Sequence, residues 1–292
     1  MRLLALNVVL VATDLDDSSL ATIGAARTLA KSADAELHVV NVTSTTDADS
    51  SAVHEQLGRA GLALNEASVH AVAGDPALEI GKLADEISAD VIVLGPHRPG
   101  VNEQGKPRLE TALGIVTNSA APCLVAHELS IPLTRVLVAV DLSETSRGAL
   151  VVGLSWASAL RGNRARTSGS TLTALYVAGR NADTNELSRL SDTIEKQLEE
   201  LREDAGSWAN VVVESDVITA GNVAEAVPRY AAEHGAQLIV LGTRGLGLDG
   251  VGRVGSVAAA IARGTTIPTL LVPPAIWLEL GQIRPNRSAK RA

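Results

Sequence analysis

The sequence Leu238-Ile-Val-Leu-Gly242-Thr-Arg-Gly245, followed nine residues later by Gly255-Ser256, decides how this chain is interpreted. Four apolar residues bounded by glycine are too few for a helix and predict a strand that is buried on both faces. The residues after Ser256 are good helix formers, and Ser256 stands where a side chain can accept hydrogen bonds from free N–H groups. The stretch therefore predicts a strand, a glycine-rich loop and a helix start, which together suit a phosphate group.

Three nucleotide-binding patterns compete for this loop. The stretch Gly245–Gly250 matches G-x-G-x-x-G, but no helix opens there within a first βαβ unit and no acidic residue follows about 20 positions later. The stretch Gly250–Ser256 resembles a P-loop without its lysine. The third pattern is G-x2-G-x9-G-S, which resembles the ATP-binding signature of the universal stress protein family at all four positions. A glycine-rich surface loop without a ligand is the remaining alternative.

Composition predicts a globular protein with two aliphatic cores. The chain has 292 residues, of which 46% are hydrophobic and 20% charged, and it contains no Phe. This length suits about two ordinary domains. The formal net charge of −8 argues against binding nucleic acid through its phosphates.

The cysteine content and the hydropathy predict a cytoplasmic protein that does not interact with a membrane. Cys123 is a single cysteine, so it forms no internal disulfide, and we interpret it as a small buried strand residue. The apolar start of the chain is interpreted as a first strand because Asp14 interrupts it too early for a signal peptide. No stretch reaches the 18 or more apolar residues that a membrane span needs.

An internal repeat divides the chain into two similar halves. Several first-half segments return in the second half, namely 8–14 as 136–141, 74–80 as 221–227, 89–95 as 236–242 and 121–125 as 267–272. We therefore predict a first domain over 1–130, a second domain over 131–275 and a basic tail over 276–292.

Each half alternates buried strands with helices, which predicts an α/β fold with right-handed crossovers and a parallel sheet. The strands are predicted near 7–13, 36–42, 67–73, 91–95 and 122–127, and then near 135–140, 171–177, 210–218, 237–242 and 268–272. The helices are predicted near 18–31, 51–65, 76–88 and 110–119, and then near 144–160, 184–205, 222–234 and 256–263.

The resemblance to the universal stress protein family covers the chain up to Ile276. It implies two tandem, doubly wound, five-stranded sheets with the strand order 3-2-1-4-5, a Rossmann-like fold that is also described as adenine nucleotide alpha hydrolase-like. The switch point of this order lies between strands 1 and 4, where ligands of open α/β sheets bind. In the second half the loops after Val140 and after Leu241 meet there, so topology and motif select the same place.

The resemblance also implies roles for individual residues of the second half. An acid after the first strand would bind the ribose or base, and the backbone at the end of the second strand would meet adenine; these positions are Asp141 and Val177. The phosphate cradle and its flanking cations would be Gly242, Arg244, Gly245, Arg253, Gly255, Ser256 and Val257. For Asp141 the alternative is a helix cap assisted by Ser143, and for each arginine it is a solvated loop cation.

The first half departs from the family pattern where phosphate would bind. Arg98 replaces the second glycine, and Leu109-Glu110 stand where the second half has Gly255-Ser256. A carboxylate at that position would repel phosphate. Asp14 and Val42 match the family positions, but without a cradle we interpret them as a helix cap and a core residue.

The sequence thus leads to one main hypothesis and two alternatives. The main hypothesis is a stress-response regulatory protein that holds one ATP or related adenine nucleotide in its second half, with or without Mg²⁺. The alternatives are a slow ATPase and a nucleotide-independent interaction module. We assign no catalytic base, and the six histidines show no metal-binding spacing.

The resemblance further implies how the halves pair. Single domains of the family commonly associate through their fifth strands, so 121–127 and 268–273 are predicted to lie side by side, antiparallel, as an internal pseudo-dimer. Pairing would also satisfy two apolar edge strands. An exchange of these strands between two chains, giving a homodimer, remains open.

Overall fold

The fold is described by a computed structural model. It describes residues 6–43, 49–95, 108–126, 128–160, 169–205, 211–244 and 254–276. The first half contains β1 (Val8–Thr13), α1 (Ser19–Ala33), β2 (Glu36–Thr43), α2 (Ser50–Arg59), β3 (Ser68–Ala73), α3 (Pro76–Glu86), β4 (Val91–Leu94), α4 (Arg108–Asn118) and β5 (Cys123–Val125).

The second half repeats this order of elements. It contains β6 (Arg135–Val140), α5 (Glu144–Ala159), β7 (Ser170–Ala178), α6 (Thr184–Ala205), β8 (Val211–Thr219), α7 (Val223–Glu233), β9 (Leu238–Gly242), α8 (Ser256–Gly264) and β10 (Thr269–Val272). The predicted alternation of strands and helices is therefore present in both halves. None of the helices in the described ranges is long and apolar enough to cross a membrane.

The strands of the described residues form one ten-stranded sheet with the order β3-β2-β1-β4-β5-β10-β9-β6-β7-β8. Strand pairing within each half is parallel. Numbered within its own half, each set of five strands reads 3-2-1-4-5, which is the order that the resemblance implies.

The two halves join through an antiparallel pair formed by β5 and β10. Leu270 stands opposite Leu124 and Leu271 opposite Cys123, and these four side chains are fully buried. Because the pair is antiparallel, the carboxyl ends of the two sets of parallel strands point to opposite edges of the sheet. The carboxyl edges of the two halves therefore face in opposite directions.

Two apolar layers cover the faces of the sheet, and each layer extends through both halves. One contains side chains of α1, α2, α5 and α6, and the other contains side chains of α3, α4, α7 and α8. Along β9, Leu238 and Val240 belong to the first layer, whereas Ile239 and Leu241 belong to the second. This alternation explains why β9 is an uninterrupted apolar run.

The segment that joins the halves is part of the core. Leu129 and Leu133 are buried in the first layer. The backbone N–H of Leu133 donates to the carbonyl of Leu160 at 2.9 Å. The join is therefore packed against the second half.

One predicted helix boundary is wrong. The sequence pattern extends the second helix to residue 65, but α2 ends at Arg59. Gly61 adopts a φ of 73°, and the N–H groups of Gly61 and Leu62 donate to the carbonyls of Gly58 and Leu57 at 3.0 and 2.9 Å. A left-handed glycine that closes the last turn in this way ends a helix despite the helix formers beyond it.

Candidate functional site

The candidate site lies at the carboxyl edge of the second half, at the switch point between β6 and β9. These strands are parallel neighbours, with Ala139 opposite Leu241. The loop that follows β6 leads into α5, and the loop that follows β9 leads towards α8. The strand order therefore places the ends of β6 and β9 side by side, at the point where the sequence predicts that their loops meet.

A close backbone approach at Gly242 brings the end of β9 against the start of α5. A Cβ atom at position 242 would lie 3.1 Å from the carbonyl carbon, the carbonyl oxygen and the Cγ2 of Thr145. Contacts this short with backbone atoms force any larger side chain to displace the start of α5. Glycine at 242 thus keeps the end of β9 in direct contact with α5.

The start of α8 is open towards this edge. Its N-cap is Gly255, with φ −58° and ψ 143°, and a glycine has no side chain with which to cap the helix. The N–H of Gly255 donates to the carbonyl of Thr243 at 2.7 Å, which ties the helix start to the end of β9. Ser256 and Val257 are exposed. The first N–H groups of α8 are therefore placed to bind an anion.

The loop after β6 is fixed by Asp141. The Oδ1 atom of Asp141 accepts a hydrogen bond from the N–H of Ser143 at 3.0 Å, and Leu142 between them has a φ of 65°. The cap of α5 is Ser143, whose hydroxyl accepts from the N–H of Ser146 at 3.2 Å. The alternative in which Asp141 itself caps α5 is therefore wrong. Asp141 instead shapes the turn that precedes the cap.

The remaining predicted residues of the second half fall at or beside this edge. Val177 stands one residue beyond the partner of Val140 in β7, so it is next to Asp141 at the ends of adjacent strands. Arg244 follows the end of β9 and is partly exposed. Gly245 and Arg253 lie outside the residues that the structure describes.

The equivalent edge of the first half is built differently. Asp14 accepts a hydrogen bond at Oδ1 from the hydroxyl of Ser19 at 2.6 Å, and the N-cap of α1 is Ser18, so the prediction that Asp14 is the cap is wrong. Val42 packs against the second apolar layer, as predicted.

The helix start of the first half carries an acidic residue. Counting back from Pro122 and Pro268, Glu110 matches Ser256, and its backbone lies in the first turn of α4. Arg98 lies outside the described residues.

A buried polar network holds this first-half edge in place. The hydroxyl of Thr13 donates to Oε1 of Gln56 at 2.5 Å, and Nε2 of Gln56 donates to the carbonyl of Asp16 at 3.0 Å. The amide of Asn41 donates to the carbonyl of Thr13 at 2.9 Å. Side-chain hydrogen bonds therefore connect the loop after β1 to α2.

The fold also creates two polar clusters that the sequence does not reveal. The Nδ1 atom of His38 lies 3.0 Å from Nε2 of His70, and the planes of the two rings are nearly parallel, with an angle of 12° between them. In the second half the hydroxyl of Tyr230 donates to Asp216 at 2.8 Å, and burial together with this carboxylate raises the pKa of Tyr230. Each cluster joins residues from separate elements, so no local sequence pattern predicts it. Within the described ranges, no group of three or more His, Cys, Asp or Glu side chains could hold a metal ion.

Comparison with solved structures supports the architecture. A universal stress protein from Archaeoglobus fulgidus is similar to this chain with a TM-score of 0.61 and 20% identity, covering 92% of this chain and 97% of that chain. A putative universal stress protein from Pseudomonas aeruginosa has a TM-score of 0.61 and 15% identity, covering 97% and 99%. A universal stress protein in complex with cAMP has a TM-score of 0.33 and 23% identity, covering 41% and 96%. At these identities the first two show the shared fold.

The family model gives the most direct result. The model of the universal stress protein family matches residues 6–127 and again residues 132–273. No curated protein matches the chain. The two matches together cover most of the sequence and correspond to the two halves of the sheet. The chain therefore belongs to the universal stress protein family and contains two copies of the family domain in tandem.

Proposed function

We propose that this protein binds one adenine nucleotide, ATP or a close relative, at the carboxyl edge of its second half. The observation that carries the proposal is the start of α8 at Gly255, which has no capping side chain of its own and is tied to β9 through the Gly255–Thr243 hydrogen bond at the switch point of the sheet. Free N–H groups and the positive end of the helix dipole favour a phosphate there. The family resemblance of the loop supports the same ligand.

The residues around the helix start fit this ligand. Phosphate oxygens would accept hydrogen bonds from the first N–H groups of α8, at Ser256 and Val257, and Arg244 would supply positive charge. Gly245 and Arg253 are included in the proposed phosphate cradle because they belong to the sequence pattern of the loop. Asp141 would accept hydrogen bonds from the ribose or base, and the backbone of Val177 would meet adenine.

The proposal assigns one nucleotide to each chain. In the first half Glu110 stands where the second half has Ser256, and a carboxylate there repels phosphate. If Mg²⁺ accompanies the nucleotide, the phosphate oxygens and water would supply most of its ligands, as is common for Mg²⁺. The same proposal describes a first domain over 1–130, a second over 131–275 and a tail over 276–292, in a cytoplasmic protein with a regulatory role under stress.

Calorimetric titration with ATP tests the proposal, together with native mass spectrometry of protein purified without added nucleotide. We expect one site per chain. Gly255→Glu should abolish binding and leave the fold intact, because the φ of −58° at this position suits any residue. The new carboxylate would occupy the phosphate position.

Gly264→Glu is the matched control for this variant. It adds the same charge at the opposite end of the same helix, where a new Cβ would meet nothing within 4 Å. Binding should survive in this control. Two equivalent sites per chain, or an unchanged affinity in Gly255→Glu, would contradict the proposal, and sustained phosphate release would favour the slow ATPase instead.

A further inference from the structure

Arg180 lies over a glycine at the same edge as the candidate site. It follows β7 in a turn closed by the Ala182 N–H to Gly179 carbonyl hydrogen bond of 3.0 Å. A Cβ atom at Gly221, just beyond β8, would lie 2.9 Å from Cζ and 3.1 Å from Nη2 of Arg180 and would also overlap Nε. The guanidinium of Arg180 therefore rests directly on the backbone of Gly221.

In the first half, the glycine that corresponds to Gly221 is covered by an acidic side chain. Gly74 corresponds to Gly221 in the repeat, and a Cβ atom at Gly74 would lie 2.7 Å from Cγ of Glu79. The matching residue of the second half is Ala226, which is too short to cover its glycine. In the first half this glycine is thus covered by a carboxylate that pairs with Lys82 at 2.7 Å, whereas in the second half it is covered by a guanidinium.

The position of Arg180 suits the far end of a nucleotide. Neighbouring strands lie about 4.8 Å apart. In the strand order β9-β6-β7-β8, the midpoint between β7 and β8 therefore lies about 12 Å from β9. Val177, the expected neighbour of adenine, lies three residues before Arg180 in the chain. Among the residues that the structure describes, no carboxylate pairs with Arg180, which is exposed. Its planar side chain is therefore available to a ligand.

We propose that Arg180 contacts the base of the bound nucleotide, with its guanidinium plane against the purine ring, and so favours nucleotides over other phosphate compounds. This inference rests on the function proposed above. An arginine stacks on an aromatic ring through both its charge and its flat shape, and a lysine supplies only the charge. Gly221 is part of the arrangement because it leaves room for the guanidinium.

Titration of Arg180→Ala with ATP, AMP and inorganic triphosphate tests the inference. We expect the affinities for ATP and AMP to fall by the same factor, about fivefold, and the affinity for triphosphate to stay unchanged because it has no base. Arg180→Lys should remain within about twofold of Arg180→Ala. Gly221→Ala, which displaces the guanidinium, should reproduce the loss while Arg180 is still present.

Arg229→Ala is the matched control, because it removes the same charge from an exposed site on α7 of the same half. Its affinities should equal those of the wild type. Unchanged ATP affinity in Arg180→Ala, an equal loss for triphosphate, or full recovery in Arg180→Lys would each overturn the base contact. A wild type that binds no ATP would instead refute the proposed nucleotide site itself.

Discussion

The antiparallel pair of β5 and β10 makes a quantitative prediction for two leucines. Leu124 and Leu270 stand directly opposite each other, both are fully buried, and both belong to the same apolar layer. Truncation of a fully buried leucine to alanine costs about 3 kcal/mol of stability. Each single variant, Leu124→Ala and Leu270→Ala, should therefore lose about that amount.

The double variant should lose less than the sum of the two single variants. Side chains that face each other across two strands contribute up to about 1 kcal/mol through their mutual contact. Once one leucine has been truncated, the other has already lost this contact. We therefore expect the double variant to lose about 5 kcal/mol, which corresponds to a coupling of about 1 kcal/mol.

Urea unfolding measures these losses with two signals. All tryptophans and tyrosines of the chain lie after residue 150, so fluorescence follows the second half, whereas far-ultraviolet circular dichroism follows both halves. With a slope of about 2 kcal/mol per molar urea, each single variant should lower the midpoint by about 1.5 M. Leu124→Ala, although it lies in the first half, should also lower the fluorescence midpoint.

Leu172 provides the matched control for the coupling. It is equally buried in the same layer, but β7 lies four strand positions from β5, about 19 Å away. Leu124→Ala and Leu172→Ala should therefore be additive within about 0.5 kcal/mol. Additive losses for Leu124 and Leu270 as well would mean that the two strands do not pair in the folded chain.

Three further predictions concern single side chains. Burial, and then the neighbouring His38, lower the pKa of His70, whereas Glu86 opposes the shift. The unfolded chain therefore binds more protons below about pH 6.5, so stability should fall as the pH drops through that value, and His70→Gln should flatten the dependence of the urea midpoint on pH. Burial raises the pKa of Cys123, whose side chain is inaccessible, so a thiol reagent should react only after denaturant is added; rapid labelling of the native protein would refute this. Asp75→Ala removes the carboxylate that accepts from Ala77 at 3.0 Å at the start of α3 and should cost about 1 kcal/mol in urea unfolding, and no change would argue against this cap.

Much of the fold is predictable because its signals are local. The run Leu238–Leu241 is apolar at every position since β9 is covered on both faces, and Val91–Leu94 repeats the pattern in the first half for the same reason. Strands of this kind need crossover helices, and the sequence supplies them between each pair. The repeat then indicates two copies, and the family match over 6–127 and 132–273 confirms the tandem arrangement.

The details that the sequence does not predict depend on backbone conformations. Leu15 and Leu142 both have left-handed φ values, 62° and 65°, although leucine rarely adopts this conformation. In each half this residue follows the aspartate after the first strand, and it directs the chain into the next helix. As a result, the cap falls on Ser18 and Ser143, two or more positions beyond Asp14 and Asp141.

The two halves share one fold, so the differences between them are the evidence for where a ligand would bind. Both keep the aspartate turn after the first strand and a glycine after the third, and these features alone therefore distinguish neither half. The halves differ in charge at two positions of the same edge: Glu110 against Ser256 at the helix start, and Glu79 against Arg180 over the glycine. Both changes make the first half more negative and the second half more positive. Glu79 has a structural reason of its own, since it pairs with Lys82 in the first turn of α3, whereas Arg180 and Ser256 are exposed, so their character agrees with the anionic ligand proposed for the second half.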